Sequence, residues 1–268
     1  LQRLKDTDMA ETLALPKAQL LKQALTQMQN TLADNTWTDR QKLALTCRIL
    51  FEHGHDSGLA GQITARGPQP GTYYTQALGL GFDEITAGNL LLVNEDLEVL
   101  EGRGMPNPAN RFHTWVYRAR PDVNCIIHTH PTHVAALSML EVPLQVSHMD
   151  LCPLYEDCAF LPAWPGVPVG NEEGEIISAA LGDKRAILLS HHGQLSTGAS
   201  IEEACVIAQL FERAAKLQLL AMAAGAIQPI QPELGREAHD WIARPKRHAA
   251  AFNYFTRQCL KHHADCLN

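Results

Sequence analysis

Three things are missing from this 268-residue sequence, and each absence removes a class of function. No apolar run reaches membrane-span length and no secretory signal is visible, so the expectation is a soluble, cytoplasmic protein with no membrane partner. Positive charge is not in excess: 29 acidic residues against 22 Lys and Arg give a formal net charge of -7. That balance argues against nucleic acid as a partner, because phosphate backbones are bound through basic surfaces. There is no Cys-X-X-Cys pair. The seven cysteines are odd in number and scattered, which suits reduced thiols better than a disulfide framework. Cys125 and Cys205 lie in apolar patterns and read as core residues, and no cysteine has the setting of a nucleophile. No internal repeat and no linker interrupts the chain. What remains is ordinary globular composition, 46% hydrophobic and 19% charged, enough for a sizeable core.

Against that background the histidines stand out. Asn124-Cys125-Ile126-Ile127 is a short apolar run that reads as a buried strand, and it leads into His128-Thr129-His130-Pro131. Side chains two apart on a strand share a face, so His128 and His130 project together. Pro131 cannot continue the ladder, which puts the pair at a strand end. A second buried-strand pattern, 186–190, ends in His191-His192-Gly193. Two such strands can deliver three imidazoles to one divalent metal and leave coordination positions open for substrate. His191 and His192 point to opposite faces, so one of the two is the ligand. Gly193 is expected to supply the sharp turn beside it.

The rest of the chain predicts a frame for these strands. Residues 17–33 carry the spacing of an amphipathic helix. Thr38 and Gln41 form a capping box that opens a helix to about residue 53. Residues 57–66 read as a glycine-punctuated turn entering a strand that pairs with a second strand at 72–78 as one hairpin, and 90–94 and 97–100 form another. A helix is expected over 108–118, with Phe112, Trp115 and Val116 on its apolar face and His113 within it. A helix through 135–140 follows, then strand-like pieces at 142–147 and 158–164, and a helix over 172–181. Ser200 and Glu203 read as a second capping box, opening a helix that Gly225 ends. Two short helices close the chain over 233–268. There Arg244, Lys246, Arg247 and His248 form a basic cluster, readable as a solvated face or as a seat for an anionic substrate.

In this order, the pieces over roughly residues 38–225 resemble the class II aldolase/adducin family. The stretches that carry the resemblance are Gly58 to Arg66, Phe112 to Val123, His128-Thr129-His130, and His192-Gly193 followed by Gly198 and Glu202-Glu203-Ala204. The resemblance implies a three-layer α/β/α fold with a mostly antiparallel central sheet, commonly assembled as a homotetramer. It divides the chain into an N-terminal arm and helix (1–36), the family domain (37–230) and a C-terminal helical extension (231–268). It implies a divalent metal, zinc (Zn2+) first, with Fe2+ and Mn2+ as alternatives, held by His128, His130 and His192. In the family's aldolases that metal polarises a carbonyl while a carbon–carbon bond breaks.

The departures from the family pattern bear on the substrate. Ala109 stands where the sugar-phosphate aldolases carry a catalytic glutamate, and alanine transfers no proton. Of the phosphate-binding parts, Gly61-Gln62 replaces Gly-Asn, Asn107-Pro108 replaces a serine pair, and Gly79 alone keeps its place in the second loop. Gly61, Gln62, Gly79 and Asn107 are thus candidate substrate-binding positions for a small-molecule substrate without phosphate. His113, His148 and Asp150 are the candidates to replace the missing proton carrier. Three functions remain open at this point. They are a metal-dependent lyase acting on a small hydroxy or keto acid or a sugar-derived substrate, a non-heme iron oxygenase or decarboxylase, and an adducin-like binding or structural protein.

Overall fold

The computed structural model describes residues 15–268. The chain divides into two units, Leu1–Asn35 and Thr36–Asn268. In the first, helix α1 spans Lys17–Thr31, and none of its residues is buried.

The second unit is built on one eight-stranded sheet. Its strands are β1 (Gln62–Arg66), β2 (Thr72–Thr75), β3 (Leu91–Asn94), β4 (Val99–Glu101), β5 (Cys125–Thr129), β6 (Cys158–Leu161), β7 (Ala186–Leu189) and β8 (Gly193–Gly198). They lie in the order β4-β3-β2-β1-β5-β8-β7-β6. Every neighbouring pair is antiparallel except β6–β7. β5 sits in the middle, and each of its residues is buried. Alternation along it sorts the core into two layers. Cys125 and Ile127 pack with Ile63 and Leu45 on one face. Ile126 packs with Phe112, Val116 and Leu195 on the other.

Helices cover both faces, which makes the unit a three-layer α/β/α structure. Helix α2 (Asp39–Glu52) is buried at every position from Leu43 to Leu50, and its two polar members there are paired: Thr46 Oγ1 donates to the Lys42 oxygen at 2.7 Å and Arg48 Nε to the Ile85 oxygen at 3.0 Å. Its start follows from Thr38. The Thr38 Oγ1 accepts the Gln41 N–H at 3.3 Å, and the Gln41 Oε1 accepts the Thr38 N–H at 3.2 Å. Helices α3 (Asn110–Ala119) and α5 (Asn171–Leu181) lie on the Phe112 side, where Val116 and Ile177 share one cluster. On the other side run α6 (Ile201–Ala224) and α8 (Pro245–Cys259), with α7 (Pro232–Ile242) between them in sequence. Phe252 and Cys259 of α8 are fully buried in the same cluster as Ile127. Full burial of each such Leu, Ile or Phe side chain is worth about 1.5–3 kcal/mol. Among the described residues, no helix is long and apolar enough to cross a membrane.

A half-buried ionic cluster joins the sheet to α6, α7 and α8. Arg185, just before β7, donates to Asp157 and, at 3.0 Å, to Glu203 Oε1. His239 of α7 lies 3.3 Å from Asp157, and His248 of α8 lies 3.4 Å from Glu203. Burial alone would raise the Glu203 carboxyl. The His248 ring, the Ala199 N–H and Arg185 outweigh it and hold the carboxyl at about 2.

Several expectations are corrected here. Strand β2 stops at Thr75 rather than reaching residue 78. The segment 142–147 is no strand, because a side chain takes the place of a ladder: Gln218 of α6 accepts the Gln145 N–H at 2.8 Å and donates to the Pro143 oxygen at 3.1 Å. Ser200 caps α6, but the box does not close, since Glu203 Oε2 takes the Ala199 N–H at 2.7 Å. Strand β8 was not anticipated at all.

Candidate metal centre

Strand β8 brings the histidines together. It pairs antiparallel with both β5 and β7, so those two strands run the same way and end at the same edge. His128 is on β5, and His130 follows it. His192 lies in the tight turn joining β7 to β8. That turn is made by His191, whose φ is +55°, and not by Gly193. Gly193 serves a different need: a Cβ there would collide with the His130 ring and lie 2.6 Å from the Thr129 oxygen. His191 turns outward to Glu141, 2.7 Å away, so His192 is the inward member of the pair.

The three rings form a nearly equilateral triangle, with centroids 4.7, 4.6 and 4.7 Å apart. The Nε2 of His128 lies 2.8 Å from that of His130 and 3.2 Å from that of His192. Nitrogens about 2.0–2.1 Å from one tetrahedral ion would stand roughly 3.3 Å apart, close to the spacing seen. The Nδ1 of His128 donates to the main-chain oxygen of Gln194 at 2.9 Å, which leaves the Nε2 lone pair turned to the centre. Burial lowers all three imidazoles, with neighbouring histidines adding to the effect on His128 and His192. His192 is brought down to about 4. Neutral rings are the form that ligates metal. The donor set therefore fits a divalent ion and, among the described residues, is the one such cluster.

Around the triad the predicted residues fall into two groups. Gln62 is paired with His128 across β1 and β5, so their side chains share a face, and its buried Oε1 has no hydrogen-bond partner. Thr64, on the same face, bonds His113 Nδ1 at 2.8 Å. His113 is fully buried, its ring packs on Phe112, and Phe112 in turn packs on His128. Burial lowers the His113 pKa to about 3, and its Nε2 has no partner. Gly61 takes a φ of +117°, and a Cβ there would lie 3.1 Å from the His128 oxygen. These residues lie around the histidine triad.

The others stand apart. Gly79 has a φ of +102° and open space around it. The Asn107 side chain is used locally, accepting the Ala109 N–H at 3.0 Å. His148 and Asp150 are exposed at the helical turn Met149–Leu154. Asp150 N–H donates to His148 Nδ1 at 3.2 Å, and the pair makes no hydrogen bond to the triad. Two supporting residues went unforeseen. Gln76 accepts the Ile63 N–H and donates to the Gly61 oxygen, fixing the start of β1. Gln194 Nε2 donates to Thr129 Oγ1 at 2.7 Å, and that hydroxyl also lies 2.8 Å from the buried His55.

The structure is thus a three-layer α/β/α frame with three histidines, set at the ends of neighbouring segments of its central sheet, that could hold a metal ion. The pattern of the Class II Aldolase and Adducin N-terminal domain matches residues 41–219, and the chain belongs to that family. It is 34% identical over 197 residues to the 4-hydroxy-3-prenylphenylpyruvate oxygenase/4-hydroxy-3-prenylbenzoate synthase of Streptomyces roseochromogenus subsp. oscitans, covering 72% of this chain and 71% of that one. It is 30% identical over 190 residues to the L-fuculose phosphate aldolase of Escherichia coli O6:H1, covering 69% of this chain and 86% of the other. The solved L-fuculose 1-phosphate aldolase of Glaciozyma antarctica PI12 superposes with a TM-score of 0.78 at 28% identity, over 86% of this chain and 91% of that one.

Proposed function

We propose that the protein is a metal-dependent lyase that breaks a carbon–carbon bond, by retro-aldol cleavage or decarboxylation, in a small hydroxy or keto acid or a sugar-derived substrate without phosphate. The observation that carries this reading is the convergence of the His128, His130 and His192 Nε2 atoms with no acidic side chain among them. A bound divalent ion, zinc first, supplies Lewis-acid polarisation of a carbonyl oxygen. The chain's own residues do the rest. Gln62 Oε1 accepts a hydrogen bond from a substrate hydroxyl. His113, neutral because it is buried, is the proton acceptor at Nε2, and the same nitrogen returns the proton to carbon once the bond has broken. Thr64 fixes that ring through Nδ1. The loss of serine and glutamate at Pro108 and Ala109, with Asn107 tied to the Ala109 N–H, supports a substrate lacking phosphate.

In this reading residues 37–230 are the catalytic domain, 231–268 an extension of it, and the working form a cytoplasmic homotetramer. The test is elemental analysis of protein purified without added metal, followed by assay of the zinc-loaded protein on a panel of hydroxy and keto acids. Metal-dependent release of an aldehyde or carbon dioxide, lost in His128→Ala, is the expected result. Turnover unchanged in that variant would overturn the reading.

A second reading, a non-heme iron oxygenase or decarboxylase, is favoured by the likeness to the Streptomyces oxygenase. Three neutral imidazoles suit Fe2+ as well as zinc. Oxygen consumption by the iron-loaded protein with an aryl keto acid distinguishes the two.

A further inference from the structure

A cavity of about 610 Å³ is lined by none of the three histidines, although Thr132 and His133 of its wall follow His130 in the chain. Its walls come from α6, α8 and the start of helix α4 (Thr132–Ser138). α6 and α8 pack on the Ile127 face of the sheet, whereas His128 projects from the Ile126 face. A volume of this size suits a small organic molecule. Val206, Leu210 and Phe255 contribute apolar wall.

The charge in the cavity is unbalanced. Arg213, Lys216 and Arg247 all line it. Arg213 meets Asp150 only at 3.9 Å, and Arg247 has the Trp241 ring at 5.5 Å as its neighbour. Lys216 has no hydrogen-bond or ion-pair partner among the described residues. Glu212, the other acid in the wall, is already committed to the N–H groups of His133 and Val134 and to the His133 ring. The cations are thus free to meet an anion.

His248 gives the cavity a second polar requirement. It is 2% exposed and lines the wall, and both of its ring nitrogens are buried without a hydrogen-bond partner. Leaving such groups unpaired is unfavourable. Its Nδ1 faces Glu203 Oε1 at 3.4 Å. A hydroxyl can both donate and accept, so it matches Nε2 whichever ring nitrogen carries the proton.

We propose that this cavity is a second small-molecule site, separate from the metal centre, for a hydroxy acid with an apolar body. Lys216, Arg213 and Arg247 take the carboxylate, Leu210 and Phe255 take the apolar body, and the hydroxyl pairs with His248 Nε2. This goes beyond the lyase reading and does not depend on it.

The test is calorimetric titration of the metal-loaded full chain with p-hydroxyphenylacetate, phenylacetate and inorganic phosphate. The expected order is p-hydroxyphenylacetate tightest, then phenylacetate, with phosphate weakest. Lys216→Ala combined with Arg247→Ala should weaken both acids about tenfold, the loss of a charge-assisted contact. His248→Leu should erase the preference for the hydroxyl. If that variant does not fold, the comparison of the two acids on the wild-type chain still decides the point. Binding should persist in His192→Ala. Equal affinity for the two acids, phosphate binding as tightly as either, or no binding at all would overturn the proposal. So would binding lost in His192→Ala but kept in the Lys216 and Arg247 double variant, which would assign the acid to the metal centre.

Discussion

The His128 ring donates its Nδ1 proton to the main-chain oxygen of Gln194, 2.9 Å away on the neighbouring strand. A backbone carbonyl can only accept, so this bond fixes the tautomer and turns the Nε2 lone pair toward His130 and His192. The sheet itself, not a side chain, sets the ligand. His128→Ala and His192→Ala should each reduce bound metal from about one ion per chain, the expectation for one closed donor set, to near zero. Elemental analysis measures this, and far-ultraviolet circular dichroism checks that the fold is kept.

Gly193 tests the packing of the second ligand. Any side chain there displaces the His130 ring. Gly193→Ala should weaken metal binding by about 10–100-fold, the usual effect of disturbing what orients a ligand. A competition titration with a chromophoric chelator reads the change.

His113 carries the proposed proton transfer without touching the metal ligands by hydrogen bond. His113→Gln should lower kcat by about 10²–10⁴-fold while leaving metal content unchanged. Equal losses of metal and turnover would instead mean that the residue only supports the site.

Glu203 gives the fold an acid limit. Its carboxyl is held at about 2, against an ordinary value of 4.5. A depressed carboxyl contributes stability in full above pH 4.5, and the contribution is lost as pH falls from there through 2. The shift corresponds to about 3 kcal/mol as an order of magnitude. Urea midpoints measured across that window should fall steeply for the wild type and more shallowly for Glu203→Gln.

Thr38 shows how local chemistry becomes stability. Thr38→Ala removes one member of a closed capping box and should cost about 1 kcal/mol, a fall of about 2–4 °C in Tm for a domain of this size. Differential scanning calorimetry checks it.

The same capping box was legible in the sequence because Thr38 and Gln41 satisfy each other within four residues. The helices and β5 were legible for similar reasons, through short-range periodicity and apolar runs. Strand β8 was not. All six of its residues are buried, yet Leu195 is its one large apolar side chain: Gln194 and Thr197 are satisfied by neighbouring segments, and the Ser196 hydroxyl donates along the strand to Gln194 Oε1. No local pattern announces a buried polar strand. The metal ligands could be proposed from two strand ends and a family resemblance, whereas Gln194 and Gln76 are visible only once the strands are paired. The second capping box misled for the opposite reason: Glu203 had the right spacing, but the Ala199 N–H, Arg185 and His248 claim it first.

The placement of β8 between β5 and β7 has a consequence for the way the chain opens. His128 and His192 are 64 positions apart in sequence, and an ion bound between them closes that whole stretch into a ring. A flexible stretch of that length loses much of its freedom when its ends are tied. The ion is then a clasp as well as a reagent. While it is held, β7 and β8 cannot peel away from β5, and the chain between them, including β6 and α5, can loosen only as a tethered loop.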